Sequence, residues 1–191
     1  MRVGLLGGSF NPAHDGHRHI AGVALKRLRL DQVWLLVSPG NPLKPARGMA
    51  PLAARLASAG RIADGRRVLA TAIERDLGTR FTADTLARLR QRFPRVRFVW
   101  LMGADNLEQL PRWNRWLSIA HGGAFAVLPR PTYNHRALAG QAARRLRAAR
   151  RAARVAPALA ALAAPCWVFL PAAQHAASAT AIRAAARPSP T

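Results

Sequence analysis

A chain of 191 residues, half of them apolar, can bury one substantial core, and its single cysteine, Cys166, excludes an internal disulfide framework or a cysteine-rich zinc site. Thirty Lys and Arg against eight Asp and Glu leave a formal net charge of +22, and all but Lys26 and Lys44 of the basic residues are arginine. That balance asks for an anionic partner, and nucleic acid, ATP, pyrophosphate or a nucleotide monophosphate would each satisfy it. The longest apolar runs, such as Val33 to Val37 and Gly122 to Leu128, are strand-length and too short to span a bilayer. Met1-Arg2 leads directly into an apolar run without a charged leader and apolar h-region. The expectation is a soluble, cytoplasmic protein with no membrane partner.

In chain order, apolar runs predict strands over 2–7, 32–37, 67–70, 96–102, 123–128 and 166–170, and amphipathic stretches predict helices over 16–29, 51–60, 83–92, 114–120, 136–155 and 180–186. Alternating strands and helices imply an α/β fold, a single Rossmann-like doubly wound parallel sheet of five to six strands with helices on both faces. One domain is expected over 1–186, followed by a frayed tail at 187–191. Ligands of such sheets sit beyond the strand C-termini where strand order reverses. Gly7-Gly8, Ser38-Pro39-Gly40 and Gly103-Ala104-Asp105 each follow a strand and should reach that crevice. The segment from Ala137 to Ala164 is almost entirely Ala, Arg and Leu, with Arg144, Arg145, Arg147, Arg150, Arg151 and Arg154 along it. Helix propensity favours a helix up to Val155, ended by Pro157, with a solvated basic face rather than a specific nucleic-acid arm.

The densest signal is Gly7-Gly8-Ser9-Phe10-Asn11-Pro12-Ala13-His14-Asp15-Gly16-His17, directly after the first strand. A glycine turn lets the backbone approach a bulky anion, and a helix that opens there turns free N–H groups and its positive end toward it. Imidazoles at the helix entrance add hydrogen-bond donors, better ones when protonated. A helix cap or a zinc site is the alternative for any His pair, but no third soft ligand lies nearby. Near the other end, Ser178 or Thr180 can cap a helix, and Arg183 lies one turn beyond Thr180 on the same face.

The H-x-G-H of His14, Gly16 and His17 resembles the first motif of the nucleotidyltransferase superfamily, and Ser178-Ala179-Thr180-Ala181-Ile182-Arg183 resembles its second, S-[SA]-T-x-I-R. Between them lie Gly40-Asn41-Pro42-Leu43-Lys44, Phe81-Thr82-Ala83-Asp84-Thr85-Leu86, Gly103-Ala104-Asp105 and Leu110-Pro111-Arg112-Trp113. All six blocks, in that order, are similar to bacterial nicotinate-nucleotide adenylyltransferases over residues 1 to about 186. Ser9 and Asn11 stand where family members commonly have Thr and Asp, and Thr132-Tyr133 where relatives often have Gly-Tyr.

The resemblance implies adenylyl transfer from ATP to nicotinate mononucleotide, a step of NAD biosynthesis. It makes His14, His17 and Arg183 the catalytic candidates. Gly7, Gly8, Ser9, Phe10, Gly103, Asp105, Ser178 and Thr180 join them in binding ATP. Asn41, Lys44, Thr82, Trp113, Asn114 and Arg130 fall to the mononucleotide: Trp113 stacks the pyridine, N–H groups near Thr82 and Asn114 hold its carboxylate, and Lys44, Asn41 and Arg130 meet its phosphate. Asp84 reads as an ordinary helix N-terminal acid. Mg2+ is expected to arrive with ATP, held by phosphates and water, with no protein ligand named. A homo-oligomer is compatible with the chain. Phosphopantetheine and nicotinamide mononucleotide are the alternative acceptors, and a basic nucleic-acid-binding module is the alternative from another class.

Overall fold

A computed structural model describes residues 1–40 and 48–173 together with 179, 182 and 183. The apolar runs become strands β1 (Arg2–Gly8), β2 (Gln32–Val37), β3 (Val68–Thr71), β4 (Arg97–Gly103), β5 (Ala124–Leu128), β6 (Arg150–Arg151) and β7 (Cys166–Phe169). They form one sheet in the order β3-β2-β1-β4-β5-β7-β6, and every neighbouring pair is parallel. Between the strands lie helices α1 (Asp15–Arg27), α2 (Leu52–Ile62), α3 (Ile73–Asp76), α4 (Thr82–Arg92), α5 (Ala104–Gln109), α6 (Trp116–His121), α7 (Asn134–Ala139) and α8 (Gln141–Arg145). Short 3₁₀ turns cover Leu110–Arg112, Arg147–Ala149 and Ala153–Ala161. Among the described residues, no helix is long and apolar enough to cross a membrane.

The sheet separates two cores because alternate strand residues point to opposite faces. On one side Val3, Leu5, Trp100, Met102, Phe125 and Trp167 meet the apolar faces of α4 to α8. On the other, Leu6, Val33, Leu35, Val99, Leu101 and Val168 meet α1, α2 and the turn at Ala153–Ala161. Strands covered on both faces read as near-continuous apolar runs, which is why the sequence marks β1, β2, β4, β5 and β7 so plainly, whereas the four-residue β3 is only partly buried. Strand order reverses between β1 and β4, so the loops after these two strands open into one crevice.

The Ala/Arg segment departs from expectation. In place of one helix over 136–155, the chain forms α7, restarts as α8 after an extended Gly140, and then leaves the helix for the edge strand β6. That strand raises the count to seven, one more than expected. Trp167 explains the break. Its Nε1–H donates to the Leu146 carbonyl at 2.9 Å, taking an acceptor that a continuing helix would need. Its ring stacks on Phe125 at 5.5 Å, and the Arg150 guanidinium covers it at 5.3 Å. Helix propensity amounts to tenths of a kcal/mol per residue and yields to such packing. Pro157 lies inside the Ala153–Ala161 turn rather than ending a helix. The tail at 187–191 falls outside the described residues, and of the 180–186 helix only Ile182 and Arg183 are described, both helical.

Trp167→Ala removes this anchor along with a fully buried ring. It should cost about 3–5 kcal/mol of stability, read as a lower midpoint in urea unfolding of the purified protein.

Candidate active site

The crevice between β1 and β4 is built first by what is missing from Gly7. A side chain there would strike the Trp100 ring, which reaches across from β4 to within 2.5 Å of where a Cβ would stand. Beyond Gly8 the backbone turns at Phe10, whose φ of 47° is unusual for a residue with a side chain. The Phe10 ring is buried beneath His17, with centroids 4.8 Å apart. Whatever Phe10 offers a ligand must therefore come from its backbone.

His14 and His17 are brought together at the start of α1. His14 is the N-cap residue, and the two rings lie 3.9 Å apart. The His14 backbone N–H donates to His17 Nδ1 at 3.2 Å, while the His17 N–H donates to the His14 carbonyl at 2.8 Å. With Nδ1 accepting, the proton of the neutral ring resides on Nε2, at the opposite edge. Burial, followed by the neighbouring His14 and Arg130, pushes the His17 pKa down to about 3. His17 is thus a neutral, oriented donor at ordinary pH, not the imidazolium that donor strength alone would favour.

The opposite wall comes from β4 and β5. Gly103 passes so close to the Asp105 carboxylate that a methyl group would collide with it. Asp105 Oδ1 is buried, accepts no hydrogen bond among the described residues, and faces Arg130 Nε at 3.9 Å. Such an oxygen is an acceptor suited to ligand hydroxyls. Arg130 follows β5 and lines the same recess as His14, Gly16 and His17. The second motif reaches the first, since the Arg183 guanidinium donates to the Asn11 carbonyl. Ser178 and Thr180 lie outside the described residues, as do Asn41 and Lys44. The Asn11 amide is occupied structurally, donating to Gly48 O at 2.9 Å and accepting from Ala50 N at 3.3 Å. Among the described residues, no group of three or more His, Cys, Asp and Glu could hold a metal ion.

The other candidate substrate residues lie on the Trp100 side of the sheet. Trp113 packs edge-on to Trp100, with centroids 6.5 Å apart. Thr82 opens α4, where the first backbone N–H groups have no intrahelical acceptor. Asp84, expected to be an ordinary helix-terminal acid, forms an ion pair with Arg115, joining the start of α4 to the loop of Trp113 and Asn114. Arg115 is itself left-handed, with φ 48°, so the turn after Asn114 is sharply set.

Two buried groups escaped the sequence reading. Arg55 on α2 is 2% exposed and donates to four backbone carbonyls. Its only sequence signal is position, because Leu52, Arg55, Leu56 and Ala59 share one helix face that an arginine stem can occupy. Glu74 on α3 accepts from the Thr85 hydroxyl at 3.0 Å, and Thr79 lies 2.9 Å from the same hydroxyl. Burial pushes its carboxyl above the usual range, against bonds from Thr85 and Ser38.

The cytidylyltransferase-like family model matches residues 5–185. A protein of Gluconobacter oxydans named "Probable nicotinate-nucleotide adenylyltransferase" is 61% identical over 96% of this chain and 94% of its own. One of Cereibacter sphaeroides with the same name is 57% identical over 98% of this chain and 99% of its own. The chain belongs to the nicotinate-nucleotide adenylyltransferase family. The solved Plasmodium falciparum nicotinic acid mononucleotide adenylyltransferase complexed with APC shares the fold, with a TM-score of 0.67 at 13% identity, over 96% of this chain and 82% of that one. In this adenylyltransferase the Trp100 ring packs against Gly7, and Trp113 packs in turn against Trp100.

The depressed His17 pKa also predicts a pH effect. The unfolded chain takes up the proton near 6.5 and the folded one only near 3. The stability due to the neutral ring is therefore complete above about 6.5 and is lost as pH falls toward 3. Thermal unfolding from pH 7 to 4 should show a shallower acid loss in His17→Gln than in the wild type. Equal slopes would mean that His17 protonates normally in the fold.

Proposed function

We propose that this adenylyltransferase joins nicotinate mononucleotide to the adenylyl group of ATP, with the H-x-G-H recess as its ATP site and Thr82, Trp113 and Asn114 as its pyridine site. The observation that carries this reading is the convergence of His14, His17, Arg130 and the Arg183-bearing helix on one loop after β1. An oxygen of the mononucleotide 5′-phosphate attacks the α-phosphorus of ATP. The bond from that phosphorus to the β-phosphate bridging oxygen breaks, and pyrophosphate leaves with the electron pair. The attacking group is already an anion, so no general base is needed.

What the residues supply is placement and charge neutralisation. His17 donates from Nε2 to the transferring phosphoryl group, and His14, Gly7, Gly8 and Ser9 hold the adjoining phosphates. Arg183, with Ser178 and Thr180, takes the β,γ-phosphates that become pyrophosphate. Asp105 accepts from ribose hydroxyls. The acceptor phosphate must lie beside the α-phosphate, so Arg130, between His17 and Asp105, sits where the two substrates meet; Lys44 and Asn41 complete the acceptor's phosphate site. Trp113 stacks the pyridine, and N–H groups near Thr82 and Asn114 receive its carboxylate, which an amide would meet with a mismatched NH2. Mg2+ enters with ATP and is held by phosphates and water. An ATP-dependent reaction of this kind fits a cytoplasmic setting.

Pyrophosphate release with ATP and Mg2+ should be strong with nicotinate mononucleotide and weak with nicotinamide mononucleotide or phosphopantetheine. Preference for either of the latter would overturn the acceptor assignment. His17→Ala should lower kcat by about 10²–10³ while circular dichroism remains that of the folded protein. Trp113→Ala should raise KM for the mononucleotide and spare that for ATP; equal changes in both would assign Trp113 to folding.

A further inference from the structure

Arg55 is a cation in the protein interior whose described partners are all backbone carbonyls. Its Nη1 donates to Ser9 O at 2.9 Å and Ser38 O at 2.6 Å, its Nη2 to Pro39 O at 3.3 Å, and its Nε to Ala50 O at 2.8 Å. Ser9 belongs to the loop after β1, Ser38 and Pro39 to the loop after β2, and Ala50 to the segment entering α2. One guanidinium thus ties three chain segments that share no strand. Burial disfavours its charge, yet arginine stays protonated and the carbonyl dipoles compensate it.

The direction of those carbonyls matters. The Ser9–Phe10 and Pro39–Gly40 peptides are trans, since the cis bonds among the described residues are at Asn11-Pro12 and Ala164-Pro165. In a trans peptide the N–H points opposite to the C=O. Carbonyls drawn inward to Arg55 therefore turn the N–H groups of Phe10 and Gly40 away from it. Phe10 is buried as a whole residue, whereas Gly40 is exposed at the mouth of the β2 loop.

We propose that Arg55 is a positioning residue for both substrates, gathering the carbonyls of Ser9, Ser38, Pro39 and Ala50 so that the loops after β1 and β2 keep the course that turns their N–H groups, those of Phe10 and Gly40 among them, away from the guanidinium and toward the side where phosphate binds. The inference rests on the adenylyl-transfer reading for what those N–H groups meet. Its structural half stands apart from turnover. Lysine cannot replace the fork, because one ammonium has neither the planar geometry nor the reach to serve four carbonyls on three segments.

The test compares Arg55→Met and Arg55→Lys with Leu56→Ala, a packing deletion on the same helix. Amide hydrogen exchange is read at Ala13, Ser38 and Ala50, whose N–H groups donate to Ser58 Oγ, Gly8 O and Asn11 Oδ1. Both Arg55 variants should speed exchange at all three by tenfold or more, with β4 unchanged, and should lower kcat/KM for ATP and for the mononucleotide together by about 100-fold. Leu56→Ala should lower Tm without either effect. Wild-type exchange at any of the three amides in both Arg55 variants would overturn the proposal. So would equal acceleration by Leu56→Ala. If the wild type itself releases no pyrophosphate, the functional reading fails while the exchange data still decide the role of Arg55.

Discussion

Chain direction in β1 and β4 constrains everything else in this molecule. Both strands run the same way and lie side by side, while the chain departs from β1 toward β2 and β3 and returns past it to β4. The loops leaving their C-terminal ends must diverge, and a cleft opens between them without any residue being dedicated to it. Gly7 then sets its depth, since only a residue without a side chain lets Trp100 lie across the strand. That single contact fixes how closely β1 and β4 bring the loop of the two histidines to the Trp100 side of the sheet.

Once the cleft exists, its chemistry is set by backbone more than by charge. His17 is held neutral and oriented by a main-chain N–H, Arg55 is fully engaged by carbonyls, and α1 and α4 open with free N–H groups. A neutral donor held by its neighbours stays oriented without a counter-charge. Preorganised dipoles of this kind require little rearrangement in the transition state. Asp105 stands on the other side, a buried carboxylate oxygen with Arg130 Nε 3.9 Å away.

The sequence discloses what repeats and hides what happens once. Strands buried on both faces are continuous apolar runs, so β1, β2, β4, β5 and β7 could be read directly, and their loops placed the glycine turn, the two histidines and Asp105 at one end of the sheet. The stretch from Ala137 to Ala164 could not be read that way. Alanine and arginine suit a helix anywhere, and the residue that interrupts this one, Trp167, is twenty-one positions beyond the carbonyl it captures. Arg55 was hidden for a related reason. A basic residue in an Ala-rich helix looks like solvated surface, and its four acceptors are carbonyls, which every residue carries. The Asp84–Arg115 pair is legible only after α4 and the Trp113 loop are known to be neighbours.

The charge of +22 can now be divided. Most arginines lie on the surface, where they raise the local concentration of any polyanion and act over about a Debye length. That attraction is the same for ATP, for pyrophosphate and for the transition state, so it can lower KM but cannot raise kcat. Rate enhancement has to come from donors fitted to the transferring phosphorus rather than from the field. Nucleic acid would feel the surface field as strongly as a nucleotide does, so the field alone does not choose between them. Charge draws anions to this protein, and selection among them has to come from groups fitted to one anion's shape.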